Sequence, residues 1–233
     1  MATEKEIFQR AELLLGEEVM NTLGRRRVIV FGVGGVGSWC AEALVRTGVR
    51  HLTLVDFDRV DVSNVNRQLM ATTATVGQVK VEALRERLLT INPVADIQTV
   101  ERMFTEETAA SFHLADYDYI IDAIDSLPDK ALLIELACQT KARLFSSMGA
   151  ALKLDATRIQ VAEFWKVTGD PLARALRNRF KKQQRFPKRK FKCVFSDEVV
   201  QARSKGKGSL VHITAVFGMT LAGLVIQDSL TNR

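Results

Sequence analysis

The stretch Arg27–Arg67, RVIVFGVGGVGSWCAEALVRTGVRHLTLVDFDRVDVSNVNR, decides how the rest of the chain is read. Val28-Ile29-Val30-Phe31 is a short run of β-branched and aromatic residues, which predicts a buried strand. It feeds Gly32-Val33-Gly34-Gly35-Val36-Gly37, a G-x-G-x-x-G turn, and then a helical pattern over Ser38–Thr47 that Gly48 stops. A second strand, His51–Val55, ends on Asp56, about 20 residues beyond the turn. Glycines let the backbone turn tightly and approach a phosphate, while a helix start offers unpaired N–H groups and partial positive charge. Gly32, Gly34, Gly35 and Gly37 are therefore the predicted phosphate cradle, and Asp56 the acceptor for ribose hydroxyls. The glycine pattern alone is weak. Strand, turn, helix, strand and acid in that order predict a nucleotide site.

The residues beyond Asp56 bear on which nucleotide binds. A nicotinamide-dependent oxidoreductase is the default for this fingerprint. Here Ser63-Asn64-Val65-Asn66-Arg67-Gln68 and Val76-Gly77-Gln78-Val79-Lys80 come next. Asn64, Arg67 and Lys80 so near the turn suggest groups that grip a triphosphate and offset the charge that develops during phosphoryl chemistry.

With GVGGVG, DFD, SNVNRQ, VGQVK and Asp122-Ala123-Ile124-Asp125 in hand, the chain resembles the ThiF/MoeB family of adenylating enzymes, relatives of the ubiquitin-activating enzymes. The resemblance implies ATP as cofactor, with Gly32–Gly37 at the phosphates, Asp56 at the ribose, and Asn64, Arg67 and Lys80 stabilising charge. It implies Asp125 as a Mg²⁺ ligand and a homodimer in which Arg10 completes the partner's site. Without the family, Arg10 is simply a solvated helix residue, and Asp122 a residue that caps a loop.

Elsewhere the chain alternates strands and helices. Ile7–Leu23 is predicted helical, interrupted by Gly16. Val76–Ile91 is a predicted helix with Val81, Leu84, Leu88 and Ile91 as its core stripe, and Lys80 off that stripe. Strands are expected at Asp96–Val100, Tyr117–Ile121, Leu144–Ser147, Thr157–Phe164 and Cys193–Ser196, and helices at Thr105–Leu114 and Pro128–Thr140. The pattern predicts a doubly wound, Rossmann-like, mostly parallel α/β sheet. It is organised as an N-terminal helical segment (1–26), an ATP-binding half (27–150) and a substrate and dimer half (151–233). Lys205–Ser209 is expected to be a loop, and lacks the first glycine of a P-loop. Leu210–Leu230 is apolar but carries His212, Gln227 and Asp228, so a buried core or interface helix is predicted rather than a membrane span.

The formal charge is +6 over 233 residues. Ten basic residues and no acid fall within Arg174–Lys192, so the rest of the chain stands at −4. Such a basic insertion near the C-terminal end predicts phosphate contacts, with Arg185, Lys188, Arg189, Lys190 and Lys192 as tRNA-binding candidates. Phe180, Phe186 and Phe191 interleave with the charges, as base-stacking rings or as core or interface anchors. Cys40, Cys138 and Cys193 form no C-x-x-C pair, which speaks against a zinc site and a disulfide framework. No signal-peptide core opens the chain, and a cytoplasmic protein is expected.

Within its family the chain is similar to the branch of tRNA threonylcarbamoyladenosine dehydratases, through Glu12–Glu17, Gly34–Trp39, Asp122–Ser126, Asp170-Pro171-Leu172 and Cys193–Ser196. This resemblance implies ATP-dependent cyclisation of the threonylcarbamoyl group on a tRNA adenosine, through an acyl-adenylate. A sulfur-transfer protein is a further possible partner. The alternatives are an activator of a ubiquitin-like sulfur carrier, an oxidoreductase, and a non-catalytic RNA-binding scaffold. Cys193 is expected to be structural rather than an acyl carrier, because cyclisation already has an intramolecular nucleophile. Lys190 and Lys192 nearby would favour its thiolate.

Overall fold

The computed structural model describes residues 3–199, 206 and 208–231. Of the predicted Lys205–Ser209 loop, Lys205 and Lys207 lie outside the described residues. The strands are β1 (Arg27–Phe31), β2 (His51–Val55), β3 (Asp96–Val100), β4 (Tyr119–Asp122), β5 (Arg143–Ser147), β6 (Ile159–Glu163) and β7 (Lys192–Ser196). They form one seven-stranded sheet in the order β3-β2-β1-β4-β5-β7-β6. All neighbours pair in parallel except β6, which runs antiparallel to β7 at the sheet edge. The strand order reverses between β1 and β4, and ligands of open parallel sheets bind outside the strand ends at such a switch point.

Helices cover both faces, leaving one apolar cluster on each side of the sheet. They are α1 (Glu4–Leu15), α2 (Glu17–Arg25), α3 (Gly37–Arg46), α4 (Lys80–Ile91), α5 (Leu127–Ala137), α6 (Pro171–Gln183) and α7 (Val211–Thr231). Gly16, at φ +83°, breaks the N-terminal helical segment into α1 and α2. Although α7 is long and apolar enough to cross a membrane, half of its most apolar window is buried, and it packs along α3. Gly218 makes that packing possible. A Cβ there would overlap the Val36 carbonyl and lie 2.9 Å from the Cys40 nitrogen.

Three predicted elements differ. The helix expected from Val76 begins only at Lys80, because Gly77 and Gln78 pair with Val60 as a short ribbon (Gly77 N–H to Val60 O 2.8 Å, Val60 N–H to Gln78 O 2.8 Å). Thr105–Leu114 forms short 3₁₀ turns in place of a helix. The Thr108 hydroxyl accepts the Thr105 N–H at 2.9 Å and donates to Met103 O at 2.7 Å, and His113 turns left-handed, while Phe104 and Phe112 pack on Phe31. The basic stretch from Arg174 is built into regular elements: its first part is α6, seated by the buried Ala173, Leu176 and Phe180, and its end runs into β7.

Gly218→Ala should lower stability by about 1–3 kcal/mol, the usual cost of overpacking. Gly223→Ala, in the same helix with nothing within 4 Å of the added methyl, should be neutral or stabilise by about 0.5–1 kcal/mol. Urea unfolding midpoints of the two variants measure the contrast.

Candidate functional site

The site is built outward from the glycine turn. A Cβ at Gly37 would overlap the Gly32 carbonyl, and Gly32 itself sits at φ +80° with Ala123 of the β4 loop packed against it. Only glycine satisfies both positions. The closed turn sets the start of α3, which has no side-chain cap, at the C-terminal end of β1, next to β4.

Asp56, just past β2, is tied to this turn. One carboxylate oxygen accepts the Val33 N–H at 2.9 Å and the other the Asp58 N–H at 3.0 Å. Burial raises its pKa against those bonds and the pull of Lys80. Each oxygen keeps a second lone pair for a ribose hydroxyl.

Lys80 is buried, not off to the side of its helix. The ribbon joining residues 60 and 77–78 delivers it beside Asp58, whose carboxylate takes the ammonium at 2.7 Å while its carbonyl accepts the Lys80 N–H at 3.0 Å. The ammonium therefore faces the Asp56–Asp58 edge of the site. Asn64 closes the turn before it, with Oδ1 accepting the Asp61 N–H at 3.1 Å. Arg67 is half-buried. Its guanidinium donates to Ser63 O and Asn66 Oδ1, and its carbonyl accepts the Trp39 indole N–H at 3.1 Å, fixing it over α3. Gln68, given no site role in the sequence, has a buried Oε1 without a partner, and its Nε2 lies 3.6 Å from where a Cβ on Gly34 would be. An orphaned polar atom against an open glycine turn fits a bound polar ligand.

Across the switch point, Asp122 and Lys130 form an ion pair at 2.9 Å with both side chains fully buried. Lys130 Nζ also donates to Ile124 O at 2.9 Å, Asp122 Oδ1 accepts the Ile124 N–H at 3.2 Å, and Ser146 Oγ donates to Asp122 Oδ2 at 2.6 Å. Both backbone polar groups of Ile124 are thus clamped, and the next residue, Asp125, is exposed, one position beyond the Ile124 nitrogen that packs against Gly32. Asp122 is more than a loop cap, and Lys130 went unremarked in the sequence. Among the described residues no group of three or more His, Cys, Asp or Glu side chains is placed to hold a metal ion. A single carboxylate still fits Mg²⁺, which is commonly held by one or two carboxylates plus substrate phosphates.

Cys193 faces Ser146 across β5 and β7 and is fully buried, with burial pushing its thiol well above the ordinary range. The cation that offsets this is Lys130, not Lys190 or Lys192. Nearby, Asp170 caps α6 through the Ala173 N–H at 2.8 Å and accepts the Gly149 N–H at 3.1 Å. Buried Lys153 donates to the carbonyls of Ser196 and Glu198. Neither was singled out as a site residue from sequence, since a lone lysine or aspartate gives no hint of burial.

The remaining candidates lie elsewhere. Arg10 is exposed on α1. The basic stretch lies near the N-terminal end of β7, opposite the nucleotide end. Arg189 donates to the carbonyls of Ala137, Cys138 and Ala142 at the end of α5, and Arg185 pairs with Glu135 at 3.0 Å. Lys188, Lys190 and Lys192 are exposed, while Phe180 and Phe191 are core residues.

Lys130→Met should cost about 3–5 kcal/mol in urea unfolding, because it leaves the Asp122 carboxylate buried and unpaired. It should also weaken ATP binding through the freed Ile124–Asp125 loop. Adding Asp122→Asn removes the stranded charge and should recover part of the stability. Equal loss in the single and double variants would show that the pair does not set the loop.

Known proteins share this architecture. The ThiF family matches residues 8–231. A tRNA threonylcarbamoyladenosine dehydratase of Bacillus subtilis (strain 168) is 44% identical over 191 residues, 82% of this chain and 74% of that protein. The dehydratase of Escherichia coli (strain K12) is 39% identical over 217 residues, 91% and 81% of the two chains. A crystal structure of the E. coli tRNA N6-threonylcarbamoyladenosine dehydratase in complex with ATP superposes with a TM-score of 0.91 at 34% identity, covering 99% of this chain and 97% of that one. A match that runs from the first helix to the last, over a sheet with the glycine turn at its switch point, means that the chain belongs to the ThiF family.

Proposed function

We propose that this chain uses ATP to cyclise N6-threonylcarbamoyladenosine in tRNA, with loss of water from the threonylcarbamoyl group. The observation that carries the reading is the likeness to an ATP-bound dehydratase along nearly the whole of both chains. The donor set agrees with it: a glycine turn, a carboxylate tied to that turn, and two cations, Lys80 and Arg67, from the segments that follow.

The chemistry requires activation, because a carboxylate has a poor leaving group. Attack of a carboxylate oxygen on the α-phosphorus of ATP forms an acyl-adenylate and expels pyrophosphate. The ureido group of the same side chain then attacks the acyl carbon and expels AMP, a step favoured by high effective molarity. In this assignment the N–H groups of the turn and α3 hold phosphates, Asp56 the ribose, and Asn64, Arg67 and Lys80 meet the charge that builds up. Lys80 reaches those phosphates by exchanging its bond to Asp58. Asp125 would hold Mg²⁺, which neutralises phosphate charge when bound.

A homodimer completes the proposal. Arg10, Leu13 and Leu14 share one face of α1 by their spacing of three and four. Leu13 and Leu14 are 82% and 84% exposed, the apolar surface an interface would cover while carrying Arg10 to the partner's site. A cytoplasmic placement is part of the proposal and agrees with a tRNA substrate. The exposed lysines of the basic stretch are assigned to tRNA phosphates.

Lys80→Ala and Asp125→Ala should each slow product formation by about 100-fold or more, the usual loss when a group acting on transition-state charge is removed. The measurement is mass spectrometry of tRNA nucleosides after incubation of modified tRNA with enzyme and ATP. A near-wild-type rate in either variant removes that residue from the site, and no cyclised nucleoside from the wild type overturns the function.

A further inference from the structure

Away from the nucleotide turn, the fold leaves an aromatic pair at the surface that the proposed chemistry does not use. Trp165 and Phe186 are 39% and 45% exposed, with ring centroids 6.2 Å apart and planes inclined at 42°. The pair is braced from beneath. Trp165 meets the buried Phe164 edge-on at 5.1 Å, and Phe164 stacks on Phe191 at 5.0 Å and meets Phe180 edge-on at 5.9 Å. The Phe164 N–H also donates to Phe191 O at 3.1 Å. A line of rings therefore runs from the core to the surface and holds Trp165 in place.

The topology fixes where this pair lies. Trp165 closely follows the end of β6, where Glu163 sits opposite Lys192, the first residue of β7. Phe186 belongs to the segment entering β7, which Arg189 fastens to the last carbonyls of α5 and to Ala142 O. Both mark the N-terminal end of the parallel strands. The glycine turn lies at their other end and three strands away, a separation of about 20 Å from strand rise and spacing.

The charge around the rings has one sign in excess. Lys166, Lys188 and Lys190 are exposed in the same two segments, and Lys181 and Lys182 are exposed in the last turn of α6. The acids at hand are Glu163, opposite Lys192, and Glu135, which Arg185 engages.

We propose that Trp165 and Phe186 form a stacking platform for an unpaired nucleobase of the tRNA, separate from the adenosine being modified. The proposal rests on tRNA being the substrate. Every base presents a π-face to an aromatic ring, and cations beside the ring hold the flanking phosphates. Positive charge without matching acids selects a polyanion over a typical protein surface. A ring already braced by Phe164 loses little freedom on binding. The 20 Å or so to the glycine turn rules out the stacked base being the reacting adenosine. The platform therefore engages another part of the RNA and sets how the substrate lies across the enzyme.

The test is binding of threonylcarbamoylated tRNA to the full chain over a series of salt concentrations. Trp165→Ala and Phe186→Ala should each weaken binding by about 5- to 100-fold. The slope of log affinity against log salt should stay the same, since stacking releases no counterions. Replacing Lys188 and Lys190 together by glutamine should weaken binding and also flatten the slope. ATP affinity should be unchanged in all three. Tryptophan fluorescence gives a readout without a truncated side chain: saturating tRNA should quench the wild type, and Trp165→Phe should abolish most of that quenching while binding nearly as tightly. Wild-type tRNA binding with both alanine variants within about twofold of it, or no quenching at saturation, overturns the platform alone. A wild type that binds ATP but not tRNA overturns the substrate reading, and the platform with it.

Discussion

The closure of the β1–α3 turn is the constraint on which the rest of the site depends. With no side chain at Gly37, the backbone folds back onto the Gly32 carbonyl, and a methyl group there would have no room. That closure brings the start of a helix to the edge of the sheet, where its N–H groups supply positive potential without a charged side chain. The neighbours are then placed by contact with it. Ala123 packs on Gly32, the Thr214 side chain lies 3.2 Å from where a Cβ on Gly35 would be, Gly218 lets α7 against α3, and Asp56 grips the Val33 N–H. One close approach thus positions groups from β2, β4 and α7 together.

Around this turn, charge is placed by burial as much as by number. Lys80, Lys130 and Lys153 are all buried, and each ammonium meets a carboxylate or backbone carbonyls. A buried unpaired ammonium would be costly, so each contact fixes the segment that supplies it. Lys130 clamps the loop carrying Asp125, and Lys153 clamps the chain leaving β7. Lys80 differs in kind, because its partner Asp58 is about half exposed. That bond exchanges more readily than the other two, as the proposed turn of Lys80 to a phosphate requires.

The nucleotide half was legible because its signals are local. Alternation, glycine spacing and a terminal acid set β1, α3 and β2 to within a residue or so, and His51–Val55 and Asp96–Val100 were read as they stand. Missed features depend on tertiary approach. The 60/77–78 ribbon that shortens α4 has no periodic signature, and the bonds of the Thr108 hydroxyl to nearby backbone compete with the helix its neighbours suggest. Lys130 looks like any helix lysine until Asp122 and Ser146 come together across β4 and β5. In the basic stretch, charge density hid two different uses. Arg177 and Arg189 spend their guanidinium groups on carbonyls of their own chain, while Lys188 and Lys190 stand in solvent.

That division bears on how a large substrate would lie. Parallel strands put the chemistry at their C-terminal ends, yet α6 carries the chain back down the sheet, so the basic segment enters β7 from the opposite end. Cations there are too far to act on the reacting phosphates, and screening makes exposed lysines about 20 Å away nearly independent of them. Their effect must therefore fall on association and orientation. A small substrate would gain nothing from such charge, whereas a polyanion long enough to span the sheet would bind both ends at once, the second contact being intramolecular after the first. The separation of the two ends, with positive charge at the far one, thus favours a substrate that is both large and polyanionic, as a nucleic acid is. It also sets the groups proposed for catalysis and those proposed to hold RNA in regions that mutation can alter one at a time.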